Sequence, residues 1–326
     1  MRKTLLLQRM VTAVTTLARD RRLAMALLPA FVGLLPSVGG AVFSAPMVEE
    51  ASRGLGLSPE RKSFINYWYR HLWEPVLPIY PSIIIVSQLW NIPIGDVIAI
   101  QFPLTIAAIL AGIPLAFRGI KIGVLGMDPA DRRKLTTDLL AGLGPIVAVM
   151  VLVLYFKFDV WLSLLLVIGT LMLVYRYTLH KVVGLVREAF SFHVVLLVIG
   201  VMVFKGILQE SNAIGALPQF LTSSGIPILA LAFILPFIVG LMTGMVQAPI
   251  AITFPIIAAL SSGGVDVHLT AFAFASSLAG VMLSPTHMCF VLTVRHFKAD
   301  FGKVSRMVVL PEAAIVLVGA AMYFIR

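Results

Sequence analysis

The sequence predicts an all-α polytopic membrane protein, an inverted-topology repeat with two re-entrant hairpins and two broken transmembrane helices. Three observations lead there. The 326 residues are 60% hydrophobic and 12% charged, with a mean hydropathy of +1.00, whereas soluble domains are roughly half apolar and a quarter charged. The stretch "LPAFVGLLPSVGG" at Leu28 returns as "LPFIVGLMTGMVQ" at Leu235, with Leu28, Pro29, Val32, Gly33 and Leu34 matched by Leu235, Pro236, Val239, Gly240 and Leu241 at an offset of 207. The basic residues are segregated along the chain. Apolar character runs without strand alternation, so spanning helices are favoured over a barrel.

Lys and Arg number six in 1–22, four in 53–70, five in 118–134, three in 176–187 and four in 295–306, which is 22 of 25, while 88–95, 210–225 and 261–268 hold none. The positive-inside rule puts the first set in the cytoplasm, with the N-terminus inside and the C-terminus outside the cytoplasmic membrane. That assignment closes only if two segments enter and leave on one side. Each carries its Gly and Pro in the middle, as a re-entrant hairpin requires.

In chain order, residues 1–20 place Leu6, Met10, Ala13 and Leu17 on one face, as in an interfacial amphipathic helix. Repeat one covers 21–118, with its hairpin over 22–53, a broken helix over 64–90 and a helix over 96–117. In the broken helix Pro75, Pro78 and Pro81 recur every third residue, which favours an extended turn of chain. A cytoplasmic linker spans 119–138. Repeat two covers 139–326: helices 140–156, 159–179 and 192–209, a hairpin over 226–260, a broken helix over 269–294 interrupted at "LSPTH", and a last helix over 307–325. Stretches near 20 apolar residues suffice to span a bilayer. Subtracting 207 from the three helices ahead of hairpin two puts their counterparts before residue 1, so the first repeat reads as N-terminally truncated.

"GLLPSVGGAVFSAPMV", "NYWYRHLWEPVLPIYP" and "LSPTHMCFVLTVRHFKAD" resemble a prokaryotic integral-membrane family, domain-of-unknown-function family four-hundred-and-one. That family is similar to the ion transporter superfamily, which includes gluconate, citrate and dicarboxylate permeases and the membrane subunits of tripartite carboxylate transporters. The resemblance implies a symporter whose paired hairpins and broken helices carry substrate in an elevator-like movement. The Ser-Asn-Thr motifs that carboxylate carriers place at hairpin tips are absent here.

A broken helix offers unpaired amides at one half and free carbonyls at the other. The amide end suits an anionic solute and the carbonyl end Na⁺. Ser37, Gly39, Gly40 and Ser44 with Pro78, Ile79 and Tyr80 form one candidate half-site; Thr243, Gly244, Gln247 and Thr253 with Ser284, Pro285, Thr286 and His287 form the other. Each hydroxyl has a structural alternative, a bond to its own helix backbone. Glu74 is either an Arg70 partner one helical turn away or a proton-coupling group. His287 is a substrate contact, a titrating group, or a cap on a freed carbonyl. Glu312 reads as interfacial, Cys289 as small apolar filler, and Trp68, Trp73, Trp90 and Trp161 as interfacial belts.

The net charge of +10 is scattered over connections, without nucleic-acid motifs. There is no phosphate loop, H-E-x-x-H or G-x-S-x-G, so neither a nucleotide-driven pump nor an intramembrane hydrolase is expected. The expected partners are the lipid bilayer, a small anionic solute and, as a candidate, a second copy of the chain in a homodimer; the expected coupling ion is Na⁺ or H⁺. The rival reading is a non-transporting membrane scaffold or partner subunit.

Overall fold

The computed structural model describes residues 20–35, 40–120, 132–190, 225–260 and 266–325, with isolated positions between 192 and 210, and these are all-helical. The interfacial helix expected before Asp20, the tip residues Ser37 and Gly39, linker residues 121–131 and most of the span expected over 192–209 lie outside the described residues.

The first unit starts with α1 (Arg21–Gly33), capped by Asp20, which accepts from the Arg22 amide. The Arg22 guanidinium bonds the same carboxylate and holds it below the usual range. Then come α2 (Ala41–Ala51), α3 (Pro59–Arg70), α4 (Pro81–Trp90) and α5 (Ile94–Phe117). Ser58 caps α3 by accepting from the Arg61 amide, with Pro59 in the first turn, where its missing N–H costs nothing. Next are α6 (Arg132–Leu154), α7 (Val160–Val174) and α8 (Leu179–Ala189). The second unit comprises α9 (Ile228–Thr243), α10 (Gln247–Leu260), α11 (Val267–Leu283), α12 (Met288–Phe297) and α13 (Phe301–Phe324). Asp266 and Asp300 cap α11 and α13.

Ile94–Phe117, Val267–Phe297 and Phe301–Phe324 are long and apolar enough to cross a membrane, the second being interrupted between α11 and α12. Both expected breaks are present, at 71–80 and at 284–287. Three expectations need correction. The helix expected over 159–179 stops at Val174, because Arg176 turns the chain with φ +48° into the separate α8. The linker is shorter than expected, since α6 begins at Arg132. The segment 71–80 is a series of tight turns rather than extended chain: Glu74, Val76, Leu77 and Tyr80 donate back to His71, Trp73, Trp73 and Leu77. Pro78 takes the first central position of the Leu77–Tyr80 turn, where its fixed φ fits.

Pro29 and Pro236 lie inside α1 and α9 without ending them. The conserved spacing of the two stretches instead serves packing. A Cβ on Gly33 would strike the Arg70 carbonyl oxygen, and one on Gly240 would lie 2.7 Å from the Ser277 carbonyl oxygen. The Trp73 indole donates to the Ala30 carbonyl at 2.8 Å, while a Cβ on Gly280 would strike the carbonyl of Phe237. In both comparisons each residue lies 207 positions before its counterpart.

The packing is also reciprocal. Helix α1 lies against α2 and α3, as α9 lies against α10 and α11; α2 touches α12, and α10 touches α4. Helices α13 and α5 pack on each other, and α13 also packs on α3 and α11. Outside this body, α6 and α7 join through a small apolar cluster of Val149, Val153 and Val160 against Ile79, Ile84 and Ile94. Their outer faces leave Leu140, Val147, Val151, Trp161, Leu165 and Leu173 exposed.

Candidate functional site: a polar centre between the two breaks

Helix α3 runs into the protein and ends at Arg70, so Tyr67, Arg70 and His71 are delivered to its interior. From the other unit, α11 ends at Leu283 and the chain turns so that His287 and Cys289 arrive at the same place. The Tyr67 hydroxyl donates to the Met282 carbonyl at 3.0 Å and lies 3.3 Å from His287 Nδ1. The rings of His71 and His287 meet edge to face with centroids 4.9 Å apart. His71 Nδ1 is 2.6 Å from the Tyr67 carbonyl oxygen, and its Nε2 is 3.8 Å from Glu74 Oε1. Arg70 Nη1 is 3.2 Å from Cys289 Sγ, and Asn66 donates to Thr293 at 3.0 Å. Arg70, His71, Glu74, His287 and Glu312 are at most 7% exposed.

Of the candidate residues, Gly244, Ser284, Thr286 and His287 come together. Gly244 ends α9 at φ +65°, and a Cβ there would lie 2.7 Å from both the His287 amide nitrogen and Thr286 Oγ1, so only glycine fits. Ser284 donates to the Leu241 carbonyl at 2.6 Å and lies 2.8 Å from Thr286 Oγ1. Pro285 and Thr286 are exposed beside buried His287. In the other unit Tyr80 donates to the Gly33 carbonyl at 2.6 Å, with Pro78 buried and Ile79 half-buried in the turns. Gly40 opens α2, and half-buried Gln247 opens α10.

Three nominated hydroxyls do something else. Thr243 and Thr253 donate to the carbonyls of Val239 and Pro249, four residues back, and Ser44 bonds Ala41. The structural alternative holds for them, so Thr253→Val should leave any solute-induced shift in unfolding temperature unchanged; loss of the shift would contradict this placement.

Several carbonyls around the breaks hold partners of their own. Gly33, Leu241, Met282 and Leu72 accept from Tyr80, Ser284, Tyr67 and Thr105, and the Val281 oxygen is 3.2 Å from His287 Nδ1.

Other expectations also change. Glu312 is not interfacial: it sits midway along α13, 2% exposed, because α13 packs against α3, α5 and α11. Cys289 is more than filler, being the neighbour of Arg70. Glu74 lies in the turns beyond the end of α3, its Oε1 3.8 Å from His71 Nε2. Trp68 and Trp90 are buried and Trp73 is half-buried; only Trp161 faces outward as a belt residue does. The Trp68 indole donates to the Ala108 carbonyl at 2.9 Å.

His71, His287 and Cys289 each place one ligand atom within 4.8 Å of the others. The trio fits a cation poorly. A guanidinium lies against the sulfur, and both Nδ1 atoms face carbonyl oxygens. The same features suit an anion: α12 starts at His287 without a side-chain cap, so its first amides add partial positive charge beside Arg70.

Among the described residues these elements define an all-helical protein with apolar helices long enough to cross a membrane and a buried charged centre. Over residues 10–325 the chain matches, and therefore belongs to, the family described as "Protein of unknown function (DUF401)". No curated protein matches it.

Proposed function

We propose that this protein is a secondary active transporter of the cytoplasmic membrane, moving a small anionic, carboxylate-like solute coupled to Na⁺ or H⁺. The observation that carries the reading is the convergence of two interrupted segments on one buried polar centre, joined by the Tyr67–Met282 and Tyr67–His287 contacts. Interrupted backbone at membrane depth is tolerated only where it is buried in protein or lines a cavity, and buried ionisable groups there mark function. Arg70 and the start of α12 would neutralise the solute's charge.

The reciprocal packing of α2 on α12 and α10 on α4 is what a two-fold relation between units produces. The alternation of basic and neutral connections supports an axis in the membrane plane, with the α1–α2 and α9–α10 pairs entering from opposite sides as re-entrant hairpins. Elevator-like movement would slide this body against α6 and α7 along the cluster around Val153 and Ile79.

Thermal unfolding of the purified full chain against a carboxylate panel, with and without Na⁺ and at two pH values, tests the reading. A bound solute at about 100 times its Kd stabilises by about 2.7 kcal/mol. A panel in which no carboxylate raises the unfolding temperature counts against an anionic solute.

A further inference from the structure

We infer that the coupling ion is H⁺ and that Glu312 is the group that takes it up, through a one-water gap shared with His71. The inference builds on the transport reading above and deepens it. Its grounds are a cavity and a buried carboxyl with an unengaged oxygen.

The cavity is small, about 10 Å³, and is lined by Trp68, His71, Leu72, Ala108, Leu278, Met282, Glu312 and Ile315. That is about the space one water needs, and a water requires polar partners. Among the lining side chains His71 and Glu312 supply them, since the Trp68 N–H is committed to Ala108. Glu312 Oε2 has no hydrogen-bond partner, and neither has Glu74 Oε2. Two carboxylates thus bracket His71, one at 3.8 Å and one across the gap.

A buried carboxylate with an unengaged oxygen is disfavoured, and protonation relieves it. Chains of Glu and His inside a membrane domain are the usual material of proton relays. The Gly33 and Leu241 carbonyls and the hydroxyls of Ser44, Thr243 and Thr253 already hold bonds within the protein. The titratable and charged groups on the elements around α13 are Glu60, Arg61 and Lys62 at the start of α3, Tyr67, Tyr69, Arg70, His71 and Glu74 at its end and in the following turns, His287 and Cys289 beyond α11, His268 at the start of α11, and Asp96 at the start of α5. Of these, His71 alone shares the cavity with Glu312. The step adds one proton from water to the Glu312 carboxylate by way of His71 and the bridging water, giving a neutral acid, and the reverse step returns it.

Infrared difference spectra of the full chain in lipid nanodiscs, recorded between acidic and alkaline pH without solute, read this directly. The native protein should show a protonated-carboxyl C=O band that changes with pH and shifts in D₂O. Glu312→Gln should lose that band, Glu74→Gln should keep it, and Glu312→Asp, which retains a carboxyl and serves if the amide variant does not fold, should move it. A native spectrum with no such band, or a band untouched by the Glu312 substitutions, overturns the inference. Because no solute is needed, a Glu312 band in a protein that binds no carboxylate would count against the anionic solute and leave the proton site. Carboxylate stabilisation without the band would do the opposite.

Discussion

Gly280→Ala unfolds at a lower temperature than the native chain, and Gly33→Ala does the same. Each new methyl meets a backbone carbonyl of the neighbouring helix, Phe237 in one case and Arg70 in the other. A carbonyl in a packed helix cannot swing aside as a side-chain tip can, so the helices must part. Overpacking of this kind costs about 1–3 kcal/mol per site, and close approach through small residues is what holds membrane helices together. Thermal unfolding in detergent, followed by gel filtration, checks both variants. Gly302→Ala is the control: the nearest atom to its Cβ is Asp300 Oδ1 at 3.5 Å, ordinary contact, and little change is expected. Equal unfolding temperatures for all three variants would show that the α1–α3 and α9–α11 contacts are looser than described.

The second large effect concerns binding. Arg70→Gln removes the buried positive charge beside the start of α12, and a carboxylate that depends on it should lose about 2–5 kcal/mol, or at least about 30-fold in affinity. Arg70→Lys should recover part of this, because an ammonium keeps the charge but not the planar fork. Titration of the unfolding temperature against solute for the three proteins distinguishes the cases. An unchanged titration in Arg70→Gln would move the solute away from this centre.

The breaks were legible in the sequence because glycine and proline act locally. Gly244 ends α9 and the Pro75–Pro81 region interrupts α3 from α4 for reasons confined to their own neighbourhood. The offset of 207 was legible too, but its meaning was not: Gly33 and Gly240 marked a repeat, and only the packed structure shows that each faces a carbonyl of a neighbouring helix. The composition of the centre lay further out of reach. Tyr67 meets Met282 across 215 positions, and Asn66 meets Thr293 across 227, separations that no helical periodicity reports. Glu312 was misplaced because "VVLPEAAIV" carries one acid in an apolar run, which reads equally as an interface or a core until α13 is packed. Hydroxyls were over-read for the converse reason. A Thr such as Thr253 looks available in sequence while a carbonyl of its own helix lies one turn away.

The central claim is that solute moves through the centre between the two breaks. The measurement that meets it most directly is counterflow in proteoliposomes: full-length protein, vesicles preloaded with the carboxylate that stabilises it, and a trace of the same compound labelled outside. The account predicts transient accumulation of label by the native protein, its loss with His287→Ala, and its retention with Thr253→Val. A native protein that binds the carboxylate yet accumulates no label would contradict the account and favour a non-transporting membrane scaffold.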